Sequence, residues 1–270
     1  DECTFEQKLC VTCSTNQLGT TIIDIKTNSM PASCYATQRG QAEPIPFAID
    51  FSVAWNTPTS SYSASYRYND YKLTTSAKTT EVPVTPTSLQ QQLDNSVDYI
   101  QAEDGDFSKI VGIALNGVPI YGGIDSSDID VLRTDDPDVL PTTIANIDAC
   151  LGLADASNVY HYHLLSPCVI SSSLVIQRPN LLATAQTIAD VLTSSSTTPE
   201  GFDNLNYYGG AFGIAKDGHK IIGPYNANRE LWSCDEHDIC NGTFLEDGSY
   251  AYVTTETFPY TVGCFGPSKV

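Results

Sequence analysis

The chain has 270 residues, of which 41% are apolar, enough for a packed core and unlike a disordered tail. Thirteen basic residues against 32 acidic ones leave a net charge of −19, which repels phosphate backbones and sets nucleic acid and anionic membranes aside as partners. Cations, basic proteins and neutral glycans stay open, as does a charge that serves only solubility.

No stretch approaches the roughly 20 apolar residues of a membrane span. The chain opens at Asp1-Glu2 with no basic and apolar leader, so any signal peptide is expected to have been removed. Residues 1–40 read as a cysteine-bearing segment or arm, stapled by some of Cys3, Cys10, Cys13 and Cys34. Cys10-Val-Thr-Cys13 has the spacing of half a zinc ribbon, but no partner C-x-x-C exists, so oxidised staples in a secreted protein are the expectation.

Residues 41–270 read as one β-rich domain. Phe47, Ile49, Phe51 and Val53 alternate onto one face, and Tyr62, Ala64, Tyr66 and Tyr68 repeat that rhythm, as strands require. The Thr-rich run 74–88, with Pro83 and Pro86, suits an edge strand or an extended connector. Glu103-Asp-Gly-Asp106 is a turn. Helix is expected only around Asn180–Leu192 and, more weakly, around Thr142–Leu151.

An internal repeat dominates the second part of the chain. Gly112-Ile-Ala-Leu-Asn-Gly-Val-Pro-Ile-Tyr-Gly122 returns as Gly213-Ile-Ala-Lys-Asp-Gly-His-Lys-Ile-Ile-Gly223. Each version sets Asn-Gly or Asp-Gly between apolar runs, which predicts a β-hairpin closed by a type I′ turn. Asp148-Ala-Cys150 answers Asp238-Ile-Cys240, Tyr160-His-Tyr-His163 answers Tyr250-Ala-Tyr-Val253, and Cys168 answers Cys264. The fold expected is therefore all-β with one or two short helices, its duplicated units (about 111–168 and 212–264) sharing one core. The repeat suggests disulfides Cys150–Cys168 and Cys240–Cys264, each contributing about 3 kcal/mol in the chain-entropy description. Cys234 is left as the odd thiol of nine, or as a partner for the N-terminal segment. Asn241-Gly-Thr243 is a glycosylation sequon, in keeping with secretion.

At these residues the chain resembles the YHYH-domain proteins. The likeness rests on Gly112–Tyr121, on the Asp-x-Cys before the tetrad at 160–163, on the second Gly-Ile-Ala-x-Asp-Gly, and on Phe258-Pro-Tyr-Thr-Val-Gly-Cys264. It spans about residues 47–270 and implies an extracytoplasmic protein without an established reaction. The second tetrad departs from the pattern, having lost both histidines.

His161 and His163 stand two apart, so on a strand both reach one face with Cα atoms about 6.5 Å apart, close enough for one zinc or copper ion. Asp125, Asp128, Asp148 and His219 are candidate further ligands; the alternative is two rings hydrogen-bonded in a core. The acidic runs Asp125–Asp130 and Asp135–Asp138 could instead hold calcium, or be ordinary solvated loops. His237 reads as a surface residue. No nucleophile elbow, H-E-x-x-H or Walker loop is present, and no enzyme is expected, although paired carboxylates of a glycan hydrolase leave no sequence mark.

Three functional expectations follow. The first is an extracellular structural subunit that assembles with copies of itself, in keeping with 15 tyrosines, 9 phenylalanines and an odd cysteine. The second is a metal-binding protein centred on His161 and His163. The third is an extracellular glycan hydrolase.

Overall fold

The computed structural model describes residues 7–31, 44–55, 110–124, 130–132, 147–148, 150–166, 169, 210–228, 230–245 and 249–265. These form eleven strands in two sheets, with almost no helix. The expectations on Tyr62–Tyr68, residues 74–88, Glu103–Asp106 and Asn180–Leu192 lie outside the described residues.

β1 (Leu9–Thr15), β2 (Thr21–Thr27) and β3 (Ile49–Ala54) make an antiparallel three-stranded sheet in that order. The alternation in β3 buries Ile49, Phe51 and Val53, whereas Phe47 precedes the strand and stays exposed. β2 pairs along its length with β3, so one ladder joins residues on both sides of position 40. Ile25 of β2 and the three β3 side chains pack on Ile113 of the larger sheet.

The larger sheet holds β4 (Ile110–Ala114), β5 (Pro119–Tyr121), β6 (Gly152–Ala154), β7 (Tyr160–Tyr162), β8 (Ala211–Ala215), β9 (Lys220–Ile222), β10 (Gly242–Phe244) and β11 (Tyr250–Val253). Its spatial order is β10-β11-β9-β8-β4-β5-β7-β6. Read inward from either edge, the pairings follow one pattern. β6 lies antiparallel to β7 and β7 parallel to β5, which forms a hairpin with β4; β10, β11, β9 and β8 do the same. β4 and β8 meet antiparallel at the centre. A Cβ on Gly112 would stand 2.6 Å from the Ile214 carbonyl oxygen, and one on Gly213 would stand 2.6 Å from that of Ile113, so this central contact requires glycine on both strands.

The hairpins form where expected, but their turns differ from the type I′ expectation. Three residues separate Ala114 from Val118, and the Gly117 amide donates to the Ala114 carbonyl at 2.8 Å. Only Gly117 in that turn has positive φ, at 84°; in the other hairpin Gly218 stands at 87°. This is a three-residue loop with glycine at a bulge position, where a single left-handed residue suffices. Near Leu151 the expected helix gives way to a tight turn, with Leu151 at φ 59° and its amide on the Asp148 carbonyl.

One apolar core serves both halves of the sheet. Val111, Ile120, Tyr160, Tyr162, Phe212, Ile221, Tyr250, Tyr252 and Val262 are buried in a single cluster. The Cys240–Cys264 disulfide lies within it, closing a loop that should contribute about 3 kcal/mol. Cys150 is also disulfide-bonded, while the expected partner, Cys168, is outside the described residues. Cys10, Cys13 and Cys234 carry free, exposed thiols. The odd-thiol expectation for Cys234 agrees with this, and the stapling expectation for Cys10 and Cys13 is corrected: the two point to opposite faces of β1 and do not bridge each other.

Candidate functional site

A buried carboxylate positions the YHYH tetrad. Asp148 Oδ1 accepts the amides of Cys150 at 2.8 Å and Gly152 at 3.0 Å, folding the chain into β6. Its Oδ2 accepts the Tyr160 hydroxyl at 2.7 Å, which fixes β7 beside β6. Gly152 must lack a side chain, because a Cβ there would run into the Tyr160 ring. Burial pushes Asp148 up to about 6, against the opposing pull of the Tyr160 hydroxyl and the two amides. Asp238, Cys240, Gly242 and Tyr250 repeat the arrangement, with the Tyr250 hydroxyl 2.7 Å from Asp238 Oδ2.

With Tyr160 and Tyr162 committed to one face, His161 and His163 project from the other, and both are buried. His161 Nδ1 donates to the Val159 carbonyl at 3.0 Å, and His163 Nδ1 donates to the Gly122 carbonyl at 2.6 Å. A carbonyl oxygen can only accept, so each Nδ1 carries its hydrogen and each Nε2 is left with a lone pair when the ring is neutral. The two Nε2 atoms face each other at 3.1 Å. Burial holds the His161 imidazole neutral down to about 4. When both rings are neutral these lone pairs repel at that distance, and a proton or a metal cation between them removes the repulsion.

Tyr121, at the end of β5, closes the site. Its ring stacks on His161 with centroids 4.1 Å apart and meets His163 edge-on at 6.0 Å. Burial, and then the nearby Asp155 carboxylate, push its phenol up to about 12, so it stays protonated. Tyr121 is not among the site residues expected from the sequence. The available signal was its place in the repeat, where the other version has Ile222.

The other candidate ligands go elsewhere. Asp148 is occupied on the tyrosine face. His219 lies in the other half of the sheet, where its Nδ1 is 2.9 Å from Asp217 Oδ2, an oxygen that also accepts the Tyr252 hydroxyl at 2.5 Å. Asp125, Asp128 and the run Asp135–Asp138 are outside the described residues. Among the described residues no group of three or more His, Cys, Asp or Glu side chains gathers at one point. His237 is half-buried, its Nδ1 3.1 Å from the Asp238 carbonyl oxygen.

The sequon expectation at Asn241 is corrected. Asn241 is wholly buried in a left-handed conformation, and its Nδ2 donates to Thr255 Oγ1 at 2.7 Å, so the folded chain leaves no room for a glycan there.

Comparison with known proteins returns no match: no family model, no curated protein and no solved structure corresponds to this chain. Among the described residues, no helix is long and apolar enough to cross a membrane.

Proposed function

We propose that the chain is a secreted metal-binding protein whose His161 and His163 hold one zinc or copper ion between their Nε2 atoms. The observation that carries this reading is the facing Nε2 pair with both Nδ1 hydrogens already committed to backbone carbonyls. Ligand imidazoles are commonly oriented this way by their second nitrogen. At ligand distances of about 2.0–2.1 Å, two nitrogens 3.1 Å apart subtend about 100° at a shared ion, which lies between square-planar and tetrahedral geometry. A linear two-coordinate ion would hold them about 4 Å apart and does not fit. His161 is neutral at pH 7, so binding displaces no proton from it. The remaining ligands are water or an exogenous group.

We also infer that the two halves of the large sheet are diverged copies of one unit, and that the chain is kin to the YHYH-domain proteins. The shared strand pattern and the twin Asp–Tyr devices support the first inference; the quoted motifs support the second. Secretion is supported by the disulfides. The role proposed is binding rather than catalysis. Self-association is a second reading, favoured by the exposed edge strand β1.

The test is elemental analysis after exposure to zinc, copper and calcium followed by dialysis. About one zinc or copper per chain is expected, and none in the His161→Ala, His163→Ala double variant. Wild-type protein that returns from dialysis without metal would refute the proposal.

A further inference from the structure

We infer that two copies of this chain pair through the free edge of β1, antiparallel about a two-fold axis at Cys10, and are locked there by a Cys10–Cys10 disulfide. Among the described residues β1 ends the order of its sheet, and all seven of its residues are exposed. Such an edge is a template for another strand.

The direction of its backbone groups follows from the pairing with β2. Lys8 accepts from the Asn28 amide at 3.2 Å, and the Asn16 amide donates to the Thr20 carbonyl at 2.9 Å. Lys8 and Asn16 thus turn their peptide groups toward β2, and by the two-residue period Cys10, Thr12 and Ser14 do so too. The groups of Leu9, Val11 and Cys13 point outward, available to a neighbour.

A two-fold axis through Cys10 uses this edge well. It places each Leu9 opposite the other copy's Val11, so that both outward ladders close. It also covers two large apolar side chains that are 41% and 52% exposed in the single chain. The Cys10 pair falls at a non-hydrogen-bonded position, where Cα atoms of opposed residues lie about 4.5 Å apart, inside the disulfide range. Centring on Cys13 would put that cysteine at a hydrogen-bonded position and leave Leu9 and Val11 unmatched.

Local charge does not oppose this partner. The chain carries −19, yet residues 7–16 contain one charge, that of Lys8, and no carboxylate. Two copies can meet here without opposing acids. A single strand pair is nonetheless small beside the roughly 1,200–2,000 Å² of stable interfaces, so the covalent link is what holds it.

The chemistry is a thiol–disulfide exchange. Two Cys10 thiols and one small-molecule disulfide become the Cys10–Cys10 bond and two small-molecule thiols, the oxidant taking up two electrons and two protons. The conditions that oxidise Cys150, Cys240 and Cys264 also suit this step.

The experiment exposes the full chain to oxidised glutathione and reads its mass on non-reducing gels and by light scattering, followed by disulfide mapping. A species of twice 29.2 kDa is expected, carrying a Cys10–Cys10 peptide, present in Cys13→Ser and Cys234→Ser and absent in Cys10→Ser. Val11→Lys, which sets a charge against Leu9, should slow its formation several-fold. Cys10 is exposed, so its serine variant should fold, and retention of the wild-type circular dichroism checks that it has. A chain that stays monomeric, or a dimer linked through Cys13 or Cys234, would overturn the inference.

Discussion

The two halves of the large sheet share their strand pattern but differ in the side chains on one face. In β7 His161 lies opposite Leu153 of β6; in β11 Ala251 lies at the same register opposite Thr243 of β10. His163 and Val253 follow two residues later, and Tyr121 of β5 stands where β9 has Ile222. In one half this face is an apolar cluster of Ile222, Ala251 and Val253, and in the other it is two imidazoles under a tyrosine ring. The opposite face shows the reverse exchange. Asn116 donates to the Tyr162 hydroxyl at 3.1 Å, whereas Asp217 joins Tyr252 to the buried His219. β11 holds the corresponding place in the sheet with Ala251 and Val253, so this strand arrangement does not itself demand histidine. His161 and His163 are therefore the residues in which to look for function.

The largest effect expected from this comparison comes from making the first half like the second. His161→Ala with His163→Val should abolish zinc and copper binding while leaving the circular dichroism of the fold intact. Retained binding would break the comparison.

Next come the features the halves share. Tyr160→Phe and Tyr250→Phe each remove a hydroxyl from a buried carboxylate, and each should cost about 2–3 kcal/mol in urea unfolding. A large difference between the two would show that the devices are not equivalent.

Stability against pH sharpens the contrast further. Folding lowers His161 from 6.5 to about 4, so its contribution is present above pH 6.5 and is lost as pH falls toward 4. Asp148 runs the other way: folding raises it from 3.8 to about 6, so its contribution is present below pH 3.8 and is lost as pH rises through 6. The two slopes oppose each other between pH 4 and 6. Without metal, wild type should lose on the order of 2–3 kcal/mol relative to His161→Ala between pH 7 and 4, read from urea midpoints. A difference that stays constant with pH would mean that His161 titrates normally.

The smallest effect is at the hairpins. Gly218→Ala, forced to a φ of 87°, should cost about 1–2 kcal/mol and leave metal binding unchanged.

Local pattern carried much of this into the sequence. Alternation marked β3, Asn-Gly and Asp-Gly marked both hairpins, and the order of cysteines pointed to Cys240–Cys264. What escaped depended on tertiary contact. The turn type followed from the three-residue spacing of the hairpin ends rather than from the dipeptide. β6 and β10, at three residues each, are too short to show a period. The central pairing of β4 with β8 joins segments some hundred residues apart, and only the tight approach of Gly112 and Gly213 betrays it. The buried Asp–Tyr device was open to reading, since Asp-x-Cys-x-Gly recurs with a tyrosine twelve residues after each Asp. The sequon at Asn241 misled because three residues carry no information about burial. At the site itself, spacing put two histidines on one face; that their Nε2 atoms point at each other was decided by the Val159 and Gly122 carbonyls, which no motif encodes.

The most direct test of the account is X-ray absorption at the edge of the metal bound by the loaded protein. Two imidazole nitrogens are expected about 2.0 Å from the ion, and their loss is expected in the His161→Ala, His163→Val chain. A bound ion without imidazole in its shell, or a spectrum unchanged by those two substitutions, would contradict it.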